Sequence, residues 1–140
     1  MLYRFPSKGV LHYSNIDGYG YKLIVSVDSQ IVELARALVP KGLGMSTTRY
    51  PPHISVVRKE TPTNLLEWGK HEGEFIDFEY SPEVQYDDTY CWLRVFSPGL
   101  VSIRVSLGLP PSRRNVTCPP DGEPIFHTTI GNFKSNPVQE

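Results

Sequence analysis

Two short segments of this 140-residue chain carry residue types suited to acid–base chemistry, at matching spacing. His53-Ile54-Ser55-Val56 and His127-Thr128-Thr129-Ile130 both read His-x-(Ser/Thr)-hydrophobic. Their β-branched, apolar surroundings favour strands. A strand's period of two turns His53 and Ser55 to one face, and His127 and Thr129 likewise. Each segment then offers an imidazole and a hydroxyl side by side. Two imidazoles facing one bound group can divide proton transfer, one as base and the other as acid. A free imidazole titrates near pH ~6.5, which suits both roles at neutral pH. The hydroxyls can donate to a non-bridging oxygen where negative charge develops. One such motif alone is more often a strand histidine satisfied by its neighbour. Two of them, in a chain with four histidines, carry the signal. No histidine pair has a ligand spacing such as His-x-x-x-His and the acidic residues do not cluster with them, so neither a metal nor a cofactor is expected.

The elements around these segments must hold them in register. Residues 1–20 are aromatic, polar and glycine-rich, with a turn at Asn15-Ile16-Asp17-Gly18. Tyr21 to Val27 alternates as a half-buried strand. Asp28 or Ser29 caps a helix to about Val39, with Ile31, Leu34, Ala35 and Leu38 as its apolar stripe. Pro40 and Gly42 stop it, and two prolines lead into the first histidine strand. Asn64 to Trp68 suggests a short helix with a capping box from Asn64 to Glu67. Residues 73–80 and 89–96 alternate as strands, and Asp87-Asp88 turns the chain between residues 83–86 and the second of these. Ser97-Pro98 starts a helix to Leu107, ended by Gly108. Residues 109–124 read as a long proline-rich loop before the second histidine strand. The expected fold class is α+β, with two antiparallel β-lobes, each backed by a helix, and the histidine strands lining the cleft between them.

Composition sets the limits. One domain spanning 1–140 has enough chain for a core, and 39% apolar with 21% charged residues describe an ordinary globule. A net charge of -1 supplies no global field for a nucleic-acid polymer, though a small anion in a local pocket stays possible. Cys91 and Cys118 make neither a disulfide framework nor a metal-spaced set, and Cys91 fits a reduced core position. No signal-peptide region opens the chain and no apolar run approaches membrane-spanning length, so a cytoplasmic protein is expected. The Asn115-Val116-Thr117 sequon is read as incidental.

The histidine segments, with Leu11-His12-Tyr13-Ser14, Tyr21-Lys22-Leu23-Ile24-Val25, the continuation through Arg58-Lys59-Glu60, Glu67-Trp68-Gly69-Lys70, and Phe126 to Asn132, carry a family likeness. The chain resembles the 2H phosphoesterase superfamily, and within it the phage anti-CBASS nucleases. The resemblance implies a bilobal fold with His53, Ser55, His127 and Thr129 as the catalytic set. It implies a metal-independent phosphodiesterase that opens 3′–5′ linkages of cyclic di- or trinucleotides and so lets a phage evade bacterial CBASS immunity in the host cytosol. The partner is then a cyclic oligonucleotide, with no membrane and no long nucleic acid. Alternatives are a 2H enzyme acting on RNA ends with 2′,3′-cyclic phosphate, and a protein that sequesters cyclic nucleotides without cutting them. For substrate binding, Tyr13 lies in a resembling stretch and suits base stacking. Trp92 shares a face with Tyr90, Arg94 and Phe96, and Lys59 keeps the parity of His53 if the strand continues. Arg113-Arg114 suits closure over an anion, and His12 and His71 read as surface or local-structure residues.

Overall fold

The computed structural model describes residues 3–48, 50–112, 117–118 and 122–134. Arg113-Arg114 and the Asn115 sequon lie outside them. The order is β1 (Phe5–Ile16), β2 (Gly20–Ser26), α1 (Ser29–Ala37), β3 (His53–Arg58), β4 (Phe75–Tyr80), β5 (Gln85–Tyr86), β6 (Tyr90–Phe96), α2 (Pro98–Ser106), β7 (Thr117–Cys118), β8 (Glu123–Pro124) and β9 (Phe126–Asn132). The class is α+β with antiparallel strands and two helices.

Seven strands form one sheet in the order β4-β1-β2-β3-β9-β6-β5. β4 pairs along β1 and also reaches β6 through Glu79↔Phe96 and Tyr80↔Val95, so the sheet closes on itself. The chain order repeats: β1-β2-α1-β3 in the first half matches β4/β5-β6-α2-β9 in the second, and β3 meets β9 at the seam. β7 and β8 pair separately. The first twenty residues, where the sequence suggests one turn at Asn15 to Gly18 and no strand, hold the long strand β1. Its first half pairs with β4 and its second with β2, which needs twelve residues of strand.

One face of the sheet is the core. Leu11, Leu23, Val25, Ile54, Val56, Cys91, Leu93, Val95 and Ile130 point into it and cluster with Val32 and Ala35 of α1 and Leu100, Ile103 and Leu107 of α2. The Asp28 carboxylate accepts from Gln30 N to start α1. Ser97 Oγ accepts from Leu100 N and donates to Asp77 O, so it starts α2 and ties it to β4. Gly108, with φ +82°, ends α2 where the sequence placed the stop.

Two local expectations change. Leu34 and Leu38 of the expected α1 stripe are exposed, while Val32 and Ala35 are buried, so the helix has rolled. The roll brings Arg36, on the same side as Val32 and Ala35, to a backbone carbonyl of β9. Around Asn64 there is only a single 3₁₀ turn, Leu65–Glu67, without a side-chain cap, because the Asn64 amide donates to Ser106 O instead.

Candidate active site

β3 and β9 pair antiparallel with Ile54 opposite Thr128. Both of these residues are buried, at 0% and 1% exposure, so they face the core. Antiparallel pairing then sets His53 opposite Thr129 and Ser55 opposite His127, all four on the other face. Residues diagonal across such a pair are about 7–8 Å apart, which separates His53 from His127 by room for one phosphate-sized group. Thr128 Oγ1 donates to His53 O at 2.9 Å and fixes the seam from the core side. His53 Nδ1 lies 2.9 Å from Pro51 O. A carbonyl only accepts, so Nδ1 carries the hydrogen and Nε2 is the ring nitrogen left for another partner.

Both histidine strands bulge at the same place. On β3, Ser55 pairs with Ile24 but Val57 pairs with Leu23, so Val56 is the extra residue. On β9, Thr129 pairs with Trp92 but Gly131 pairs with Cys91, so Ile130 is extra. In both strands the bulge is the third residue after the histidine. Its carbonyl cannot join the regular ladder, and in both strands an arginine takes it. Arg104 of α2 donates to Val56 O at 2.6 Å, and Arg36 of α1 donates to Ile130 O at 2.7 Å. Each half's helix thus pins the histidine strand of the other half. Arg104 is fully buried and also holds Glu60 through two nitrogens at 2.9 and 2.7 Å. Gly131 is needed on β9 because Met45 and Ser46 approach where a Cβ would stand.

The neighbouring strands supply the rest of the face. On β2, Ser26 lies beside His53 and Ile24 beside Ser55. On β6, Arg94 lies beside His127 and Trp92 beside Thr129. The Trp92 ring stands 6.1 Å from the His127 ring, tilted by 55°. Arg94 donates to Glu83 at 2.9 Å. On β1, His12 pairs with Ile24, in the same row as Ser55 and His127, and its Nδ1 lies 3.2 Å from Glu72. Glu72 also accepts from Tyr13 N, and that bond, ahead of His12, holds its carboxyl below the usual range.

Comparison with protein-family models, curated proteins and solved structures finds no match. The face is therefore read from its own residues.

The structure brings together His53, Ser55, His127 and Thr129, with Trp92 alongside. It does not bring Tyr13 to them. Tyr13 shares its face with Leu11, packs edge-on against Trp68 at 5.0 Å between ring centres, and burial pushes its hydroxyl pKa up. The parity expected of Lys59 also changes. β3 ends at Arg58, Lys59 takes a left-handed conformation with φ +56°, and the Val56 bulge has already shifted the phase by one residue. Arg58, opposite Lys22, takes the place on the histidine face that parity assigned to Lys59. Phe96 departs from the face of Trp92 and is buried under Arg4. An apolar groove lined by Leu38, Val39, Pro82, Val84 and Tyr86 shares no residue with the histidine face. Among the described residues no His, Cys, Asp and Glu group could hold a metal ion, and no helix is long and apolar enough to cross a membrane.

Proposed function

We propose that this chain is a phosphodiesterase of the 2H type that opens 3′–5′ linkages in cyclic di- or trinucleotides. The observation that carries the reading is the seam: one register, Ile54 against Thr128, sets two imidazoles and two hydroxyls on one accessible face. The two ββαβ halves are then the two lobes, and the scissile phosphate lies over the seam between His53 and His127.

In the reaction, one imidazole takes the proton of the ribose 2′-hydroxyl, and that oxygen attacks phosphorus. The other imidazole protonates the departing 5′-oxygen. Ser55 and Thr129, each opposite the other motif's histidine, donate to the non-bridging oxygens as charge builds on them. The 2′,3′-cyclic phosphate so formed is released, or is hydrolysed to a 3′-phosphate by the same pair with their roles exchanged. Every proton is handled by an imidazole, so the step requires no metal-bound water. In a cell infected by a phage carrying it, such an activity removes the cyclic messenger that triggers CBASS immunity.

The test is to incubate the protein, in EDTA, with cyclic dinucleotides, cyclic trinucleotides and RNA ending in 2′,3′-cyclic phosphate, and to resolve the products. Linear products from the rings support the proposal. Cleavage of the RNA ends alone moves the substrate to the second class of 2H enzymes. Tight binding of rings without cleavage makes the protein a sponge.

A further inference from the structure

The bulge at Val56 has a consequence for ligand binding. It puts Arg58 on the face of His53 and Ser55, directly opposite Lys22 of β2. Tyr19, in the β1–β2 turn, joins the two. Arg58 Nε donates to Tyr19 Oη at 2.9 Å, and Lys22 Nζ stands over the Tyr19 ring at 5.5 Å from its centre. With Nε used, Arg58 keeps its two terminal nitrogens as donors for a ligand. Among the described residues neither cation has a carboxylate within salt-bridge distance. Glu60, two residues beyond Arg58, is held by the Arg104 guanidinium. Two adjacent cations without an acidic partner repel each other, an arrangement that an anion between them relieves.

The distance from the histidines is informative. On β2, Lys22 is two residues from the partner of Ser55 and four from the partner of His53, so at ~3.3 Å per residue the cluster sits about 7 Å along the strand from the Ser55–His127 row, about 13 Å from the His53 row and about 10 Å from a group midway between them. That is the reach of a neighbouring phosphate on the same sugar–phosphate backbone. The corresponding pair in the other half is Tyr90 opposite Asn132, where Lys134 Nζ stands 4.9 Å from the centre of the Tyr90 ring, so that end carries a lysine but no lysine–arginine pair.

We propose that Lys22 and Arg58, joined by Tyr19, form a second anion subsite for the phosphodiester adjacent to the one being cleaved. The proposal rests on the phosphodiesterase reading and extends it to substrate class. Every cyclic di- or trinucleotide brings a second phosphodiester to this subsite. A substrate with one phosphodiester and no other phosphate leaves it empty. The subsite therefore selects rings and longer backbones over single linkages.

The experiment compares Lys22→Gln, Arg58→Gln and the double variant with the parent on two probes: a 3′,3′-cyclic dinucleotide, and ApA, which has one 3′–5′ linkage and no other phosphate. KM and kcat are measured for each probe, and calorimetric affinity for the ring. The double variant should raise KM for the ring by about tenfold or more, with kcat nearly kept, and leave ApA cleavage within about twofold. Raised salt should narrow the gap between parent and variant on the ring. Equal losses on both probes, or an unchanged KM for the ring, would overturn the subsite. If the parent binds the ring but cuts neither probe, the phosphodiesterase reading fails. The calorimetric comparison then decides the subsite separately: a tenfold loss of ring affinity upholds it, and an unchanged affinity overturns it.

Discussion

Replacing Arg104 by Met strips the clamp from the His53 strand while keeping much of the side chain's length. The guanidinium is fully buried and donates to Val56 O at 2.6 Å, to Pro110 O at 2.8 Å, and to the Glu60 carboxylate at 2.9 and 2.7 Å. Methionine offers no donor to any of them. A buried carbonyl left unpaired costs about 1–3 kcal/mol, and breaking a buried ion pair by removing one partner costs about 3–5 kcal/mol. These contributions share one side chain and do not add in full. Glu60 keeps 23% of its side-chain exposure, so water takes part of the burden of its charge. The expected loss is about 3–5 kcal/mol, a large fraction of the 5–15 kcal/mol by which domains are typically stable. Arg36→Met removes one carbonyl bond at 2.7 Å and a 3.5 Å contact to Thr48, for about 1–2 kcal/mol. Urea unfolding of both variants measures the difference. Adding Glu60→Gln to Arg104→Met should recover about 1 kcal/mol or more, since the carboxylate charge that faced the lost guanidinium is then removed. A loss below about 1 kcal/mol for Arg104→Met, or equal costs at the two arginines, would refute this reasoning.

Two further outcomes follow from single contacts. The Asp87 carboxylate accepts from Tyr90 N and Thr89 N, each at 2.7 Å, and these bonds, Tyr90 first, hold its pKa below the usual carboxylate range. Its contribution is therefore present above the ordinary carboxylate pKa and is lost as pH falls through the depressed value. Asp87→Asn should flatten the decline in urea midpoint between about pH 5 and pH 2, and an unchanged decline would contradict the assignment. A Cβ at Gly131 would stand 2.5 Å from Met45 Sδ and 2.8 Å from Ser46 O, so Gly131→Ala must displace the segment bridged to Asn132. The cost should be about 1–3 kcal/mol by thermal unfolding, partly relieved by Met45→Ala, and a neutral Gly131→Ala would show that the approach is not tight.

The parts of the fold that depend on local chemistry were legible in the sequence. The caps at Asp28 and Ser97, the stop at Gly108 and the shared face of each motif's histidine and hydroxyl are properties of a few adjacent residues. What was not legible depends on distant partners. β1 does not read as a strand because its stretch mixes aromatic, polar and glycine residues, and its pairing with both β2 and β4 makes it one. The roll of α1 away from Leu34 and Leu38 is decided by a carbonyl of β9, far along the chain. The bulges misled the parity argument for Lys59. The trace of the β3 bulge is the doublet Val56-Val57, two consecutive buried residues in a strand that otherwise alternates. Read as a phase slip, that doublet would have pointed to Arg58. The arginine clamps leave no local trace, since Arg36 and Arg104 look like ordinary helix residues until the bulged carbonyls are known.

The central claim is that the two imidazoles across the β3–β9 seam carry the chemistry, and single-turnover cleavage of a cyclic dinucleotide by His53→Ala, His127→Ala and the double variant tests it most directly. Each single change should slow the chemical step by about 10²–10⁴-fold, the range of a positioned general acid or base. The double change should cost far less than the product of the two, since the pair acts as one unit. Ring affinity should fall far less than rate, because Lys22, Arg58 and Trp92 remain in place. A His53→Ala protein that cleaves within a few-fold of the parent would contradict the account and return the motif to a structural strand.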